Sequence, residues 1–166
     1  MMLPTRLLRR CGVLPHRFLF SGRPAIAQST AGYAKQLMAQ HRPTGRRVAL
    51  LTGCLMEAVF REINFATVRV LIENNVQVFV PSDQGCCGAM QEHLGLDGID
   101  QLRDHNRRAF ASLPVDAVVC NSSGCGLALG KALSDEVPVR DVLDFLGEQP
   151  LVQRNRAAVG TRVYVD

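Results

Sequence analysis

The stretch "RVALLTGCLMEAVFREINFATVRVLIENNVQVFVP", residues 47–81, opens on an apolar run that stops at a glycine. A run without polar alternation suits a strand buried on both faces, as in a parallel sheet, and predicts a strand over 46–53. Val59, Ile63, Ala66, Val70 and Leu71 then recur at helical spacing, with Arg61, Glu62, Arg69 and Glu73 elsewhere, and Asn74-Asn75 closes the helix. "VQVFVP" (76–81) reads as a second strand ended by Pro81. Strand, helix and strand in this order form a βαβ unit, whose crossover is right-handed almost without exception.

Working outward, "GAMQEHLG" (88–95) reads as a short helix and "GIDQLRDHNRRAFASL" (98–113) as a longer one that Asp97 caps. "VDAVVCN" (115–121) is a third strand, "GLALGKAL" (126–133) a helical turn or two, and "VRDVLDFLG" (139–147) an amphipathic helix. "TRVYVD" (161–166) reads as a fourth strand. The expected fold is α/β: an open, mostly parallel sheet of βαβ type with helices on both faces.

The chain has 166 residues, 47% hydrophobic and 20% charged, enough for one domain with its own core. Its net charge of +4 is uneven: nine basic residues, from Arg6 to Arg47, precede the first acidic one, Glu57, and the remainder is net acidic. A nucleic-acid-binding domain carries its positive charge on the folded part, so that partner is not expected. Residues 1–43 read as a basic, irregular leader or linker, and 44–166 as the domain. The Arg- and Ser-containing, acid-free leader equally fits a mitochondrial transit peptide, which keeps a mitochondrial location as an alternative to a cytoplasmic one. No stretch approaches the roughly 20 apolar residues of a membrane span.

Six cysteines without a secretory signal favour metal or redox chemistry over a disulfide framework. Cys11 lies in the leader. Cys54 follows the first strand, Cys86 and Cys87 follow the second, Cys120 ends the third, and Cys125 lies in the loop beyond. In an open parallel sheet these loops share the carboxyl edge, where ligands bind, so five of the six converge on one rim. Thiolates suit iron-sulfur clusters and zinc, and either needs about four. Gly53, Gly88 and Gly126 flank the candidates and permit close backbone approach, with amides able to donate to cluster sulfurs. Three other readings stay open: buried cysteine as apolar filler, foremost for Cys120; a dithiol switch joining Cys86 or Cys87 to Cys54 or Cys125; and a zinc-held docking module. His93 is a further candidate, as a proton donor or additional ligand beside a cluster, against the plainer reading of a surface or packing residue.

"LLTGC", "CCGA" and "SSGCG" at these separations resemble the cysteine-rich, or CCG, domain. That domain occurs in the B subunit of heterodisulfide reductases and in iron-sulfur subunits of glycolate- and lactate-oxidising complexes. The likeness covers roughly residues 46–148 and is nearest to the first of the two CCG domains of the glycolate type. It implies a metal centre on Cys54, Cys86, Cys87 and Cys125. Ser122 stands where the full family pattern has a fifth cysteine, which disfavours a five-cysteine noncubane cluster and leaves four thiolates, enough for a 4Fe-4S cubane or for zinc. The resemblance further implies electron transfer from a flavin-containing subunit that oxidises a 2-hydroxy acid, within a complex peripheral to the membrane. Such proteins carry a ferredoxin-like region and a second CCG domain; here "TRVYVD" reads as the start of that second domain, so the chain is expected to be one part of a longer subunit.

Overall fold

In the computed structural model, which describes residues 28–134 and 136–152, the apolar run becomes the central strand β1 (Arg47–Leu51). Val48, Ala49, Leu50 and Leu51 along it are all buried. It pairs in parallel with β2 (Gln77–Phe79) on one side and β3 (Ala117–Cys120) on the other, with Val48 opposite both Val78 and Ala117. β4 (Val139–Asp141) extends the sheet beyond β3, again parallel, giving the order β2-β1-β3-β4. The chain thus goes from β1 to one side and returns past it to the other, which places a switch point between β1 and β3, where open sheets bind ligands.

Seven helices stand among the described residues: α1 (Thr30–His41), α2 (Cys54–Val59), α3 (Arg61–Glu73), α4 (Ala89–His93), α5 (Ile99–Phe110), α6 (Ser123–Leu133) and α7 (Val142–Gly147). Side-chain alternation along the strands splits the core in two. Val48, Leu50 and Val119 face α1, α3 and α7 through Ala34, Val68, Leu71 and Phe145. Ala49, Leu51, Val118 and Cys120 face α5 and α6 through Phe110, Leu129 and Leu133. The open, parallel α/β sheet with helices on both faces is therefore what the sequence predicts. Each of the wholly buried Phe110, Phe145, Leu50 and Leu71 contributes about 1.5–3 kcal/mol of burial.

Several local readings are corrected. The supposed irregular leader holds α1, capped by Ser29, whose hydroxyl accepts from the Gly32 amide at 3.2 Å. It is tied down by a narrow apolar face, Ala34 with the half-buried Tyr33, Leu37 and Met38, and by specific contacts: Tyr33 stacks on Phe65 with ring centroids 4.3 Å apart, and the Thr30 amide donates to Glu57 at 3.0 Å. Met38 Sδ accepts from the Val78 amide at 3.3 Å, so α1 covers the outer edge of β2. The helix expected after β1 begins at Cys54 and is broken at Phe60. The buried stripe of α3 is Asn64, Thr67, Val68, Leu71 and Ile72, one step round from the apolar set, leaving Ile63 and Val70 exposed. Asp97 caps nothing; Gly98, at φ 89°, precedes α5. The segment over 139–147 divides into β4 and α7, with Asp141 accepting from the Leu143 amide at 2.8 Å as the α7 cap. α6 runs for three turns, so Cys125 sits in a helix and not in a loop. The strand expected over 161–166, and Cys11, lie outside the described residues.

Candidate metal centre

The three cysteine-bearing segments emerge side by side at the carboxyl ends of β1, β2 and β3. Gly53, at φ 71°, turns the chain out of β1 so that Cys54 starts α2; an L side chain is strained in that left-handed conformation. After β2 the chain reaches Cys86 and Cys87 and turns again at Gly88, φ 82°, into α4. Cys125 lies in the first turn of α6, just beyond β3.

The thiols meet in two pairs. Cys54 Sγ and Cys86 Sγ lie 3.6 Å apart, with Cys54 exposed and Cys86 half-buried. The buried Cys87 has the half-buried Cys125 as its neighbour, near enough for the second sulfur to act on the first. Adjacent residues thus send their sulfurs to different partners. Among the described residues, no three Cys, His, Asp or Glu side chains are gathered closely enough to hold one ion. The donor set nonetheless fits a thiolate-bound centre. Two sulfurs each about 2.3 Å from a shared tetrahedral metal sit roughly 3.8 Å apart, close to the spacing of Cys54 and Cys86.

Burial pushes the Cys87 thiol up to about 12, against a weaker opposing pull from the Ala89 amide, and the Cys125 sulfur beside it adds to the rise. Partial desolvation, then the Cys86 sulfur, raises Cys54 as well. In a metal-free site Cys54 and Cys87 are therefore held as thiols, and a cation must displace their protons to bind there. A cleft of about 330 Å³ opens onto the outer pair, lined by Gly53, Glu57, Arg61 and Gln84 among others.

Cys120 is placed apart from both pairs. Its sulfur is turned into the core, against the Ser122 carbonyl at 3.5 Å and the Arg140 carbonyl at 3.6 Å. A Cβ on Gly126 would lie 2.7 Å from it, so the glycine is required by close packing onto Cys120. The filler reading fits this residue. His93 is exposed at the end of α4. His105, by contrast, lays its ring on Gly85, leaving only 2.9 Å to a Cβ there.

Three amide side chains not singled out from the sequence hold the loops. Gln84 takes the Thr52 amide at 2.8 Å and donates to the Leu50 and Pro81 carbonyls at 3.2 and 3.0 Å, tying the Cys54 turn to the Cys86 turn. Asn64 and Asn106 are wholly buried beneath the same turns. A polar residue inside an otherwise apolar helical stripe is the signal that could have found Asn64.

The sequence profile of the cysteine-rich domain, CCG, matches residues 48–130, half of the chain. The chain belongs to the cysteine-rich domain family. Among its relatives is a probable glycolate oxidase iron-sulfur subunit of Bacillus subtilis, 40% identical over 88 residues, covering 52% of this chain and 20% of the relative. A subunit of the fumarate reductase (CoM/CoB) of Methanothermobacter marburgensis is 35% identical over 109 residues, 63% of this chain and 22% of the relative. The glycolate oxidase iron-sulfur subunit of Escherichia coli is 28% identical over 139 residues, 71% and 34% respectively. The chain of this cysteine-rich domain therefore spans between a fifth and a third of the length of these relatives. No solved structure matches it. Among the described residues, no helix is long and apolar enough to cross a membrane.

Proposed function

We propose that this cysteine-rich domain holds an iron-sulfur cluster and takes part in electron transfer within a 2-hydroxy-acid-oxidising complex of the glycolate type. Cys54, Cys86, Cys87 and Cys125 would be its ligands and 4Fe-4S its type. The observation that supports the reading is the arrival of four cysteines at the carboxyl edge of a parallel sheet, beside its switch point, with Cys54 and Cys86 in contact. Four thiols are the set a cluster needs, and in a cubane each would take its own iron, so Cys54 and Cys86 would part from their 3.6 Å contact on binding. The relatives' names add weight, since the proteins so named are iron-sulfur subunits and none is named for zinc.

When bound, such a cluster supplies one-electron storage. The chain's own residues supply thiolates, a buried inner side at Cys87 and an exposed outer side at Cys54. Amides of Gly53 and Gly88 would tune the centre, whereas the Gly126 amide is taken up by the Ser122 carbonyl at 2.8 Å. Substrate oxidation belongs to a flavin-containing partner subunit, and any membrane contact belongs to the assembled complex, in the cytoplasm at the inner face of the membrane.

The test is the iron and acid-labile sulfide content of the full chain, purified without oxygen and without added metal. About four irons matched by sulfide are expected for a cubane. Zinc without sulfide would overturn the reading in favour of a docking module. The 3.6 Å approach of Cys54 to Cys86 favours a second reading, a thiol-disulfide couple. That reading predicts a reversible two-electron titration in metal-free protein, with the bridge mapped to those two residues.

A further inference from the structure

We infer that Asn64 and Asn106 are positioning residues for the cysteine turns, one delivered by the crossover helix on each face of the sheet. The inference rests on the reading of these turns as a thiolate centre. α3 and α5 are the helices that carry the chain from β1 to β2 and from β2 to β3, and each brings one buried asparagine beneath the carboxyl edge. An amide is costly to bury unless its two donors and its carbonyl are used. Both residues use all three.

Asn106 Oδ1 accepts from the Gly85 amide at 2.9 Å, while its Nδ2 donates to the Cys86 carbonyl at 2.8 Å and the Leu102 carbonyl at 3.2 Å. It therefore grips the backbone on both sides of the Gly85-Cys86 peptide and sets the direction in which Cys86 leaves the chain. Asn64 Nδ2 donates to the Thr52 carbonyl at 3.0 Å and to Glu57 at 3.1 Å. Its Oδ1 accepts from Asn121 Nδ2 at 3.0 Å, and Asn121 in turn accepts from the Thr67 hydroxyl at 2.9 Å. One side chain thus joins the turn before Cys54 to the segment between Cys120 and Cys125. Fixing an element from both crossover helices holds the thiols at a set separation before any metal arrives, which spares the ordering entropy on binding. Both residues act through main chain and neighbouring side chains, so they are positioning residues and not ligands.

The test uses the full chain, metal-free and reduced, with phenylarsine oxide, whose arsenic(III) bonds two neighbouring thiols. Asn64→Ala and Asn106→Ala are compared with Ala109→Gly, a buried change on α5 that touches neither turn. Capture at Cys54 and Cys86, mapped by mass spectrometry, should weaken by about 10–100-fold in the asparagine variants and stay at the wild-type level in the control. Where an alanine variant does not fold, Asn64→Asp and Asn106→Asp keep the side-chain size and the acceptor but lose the amide donors, and the same weakening is expected. In iron-loaded protein the electron paramagnetic resonance signal should shift in both asparagine variants and not in the control. Unchanged capture and an unchanged signal in folded variants would overturn the inference. Capture needs no iron, so a wild-type chain that takes up no cluster yet loses capture in Asn106→Ala would remove the iron-sulfur reading and leave the positioning role standing.

Discussion

The two thiol pairs differ in what surrounds them. Cys54 and Cys86 face a solvent-filled cleft, whereas Cys87 and Cys125 close against α4 and α6, with Cys87 only 6% exposed. Two adjacent cysteines are divided between an outer pair, open through Cys54, and an inner one, enclosed at Cys87. A double cysteine is thus a means of joining the rim of a domain to its interior, and the pair to be disturbed decides whether chemistry or folding fails first.

The largest effect is expected at the inner pair. Cys87→Ser should abolish metal binding and also destabilise the metal-free chain by about 1–3 kcal/mol, because a hydroxyl replaces a buried thiol. Cys54→Ser should abolish binding while leaving the metal-free melting temperature near wild type. Iron analysis with calorimetry on both variants checks this, and equal destabilisation would erase the distinction between the pairs. Next, Gly126→Ala drives a methyl to 2.7 Å from Cys120 Sγ and should cost about 1–3 kcal/mol. Cys120→Ala should relieve that loss in the double variant and leave iron content intact on its own; a double-mutant cycle measures the coupling.

A smaller effect follows from ionisation. The unfolded chain releases the Cys87 proton near its ordinary value of 9.0, but the folded chain keeps it until about 12. This contribution to stability is complete below pH 9 and is lost progressively between pH 9 and 12. Melts of the metal-free chain at pH 8 and pH 10.5 should therefore differ in favour of the lower pH, and Cys87→Ala should narrow the gap. In the same protein, iodoacetamide should modify Cys54 about tenfold faster or more than Cys87, as peptide mapping would show. The smallest effect is expected outside both pairs. Lys131 donates to Glu92 at 2.6 Å across the exposed surface between α6 and α4, with Arg103 at 3.1 Å on the same oxygen. Lys131→Ala should barely move the melting temperature, and less still in high salt.

The parallel sheet was legible in the sequence because β1 and β3 are buried on both faces and so appear as unbroken apolar runs. The convergence of the cysteines followed from their places at strand ends. Which thiol meets which was not legible, since it depends on side-chain directions set by the turns at Gly53 and Gly88. β4 was hidden because its three residues, none of them buried, run directly into α7 without a break in pattern. α1 was hidden because its stripe, Tyr33, Ala34, Leu37 and Met38, is short and only Ala34 of it is fully buried, within a stretch read for its basic charge. In α3 the buried stripe includes Asn64 and Thr67, polar residues that serve the cysteine turns, and reading for apolar periodicity displaced the helix face by one position.

The methionine sulfur that α1 lays against β2 bears on how the chain is made. An uncovered outer strand is a template on which another molecule can add, and Met38 occupies the Val78 amide that would begin such pairing. α1 precedes β2 in sequence, so synthesis produces the guard before the strand it guards. A newly made chain carries its own protection against self-association from the moment β2 emerges, and oxidation of Met38 would act on that protection without touching a single cysteine.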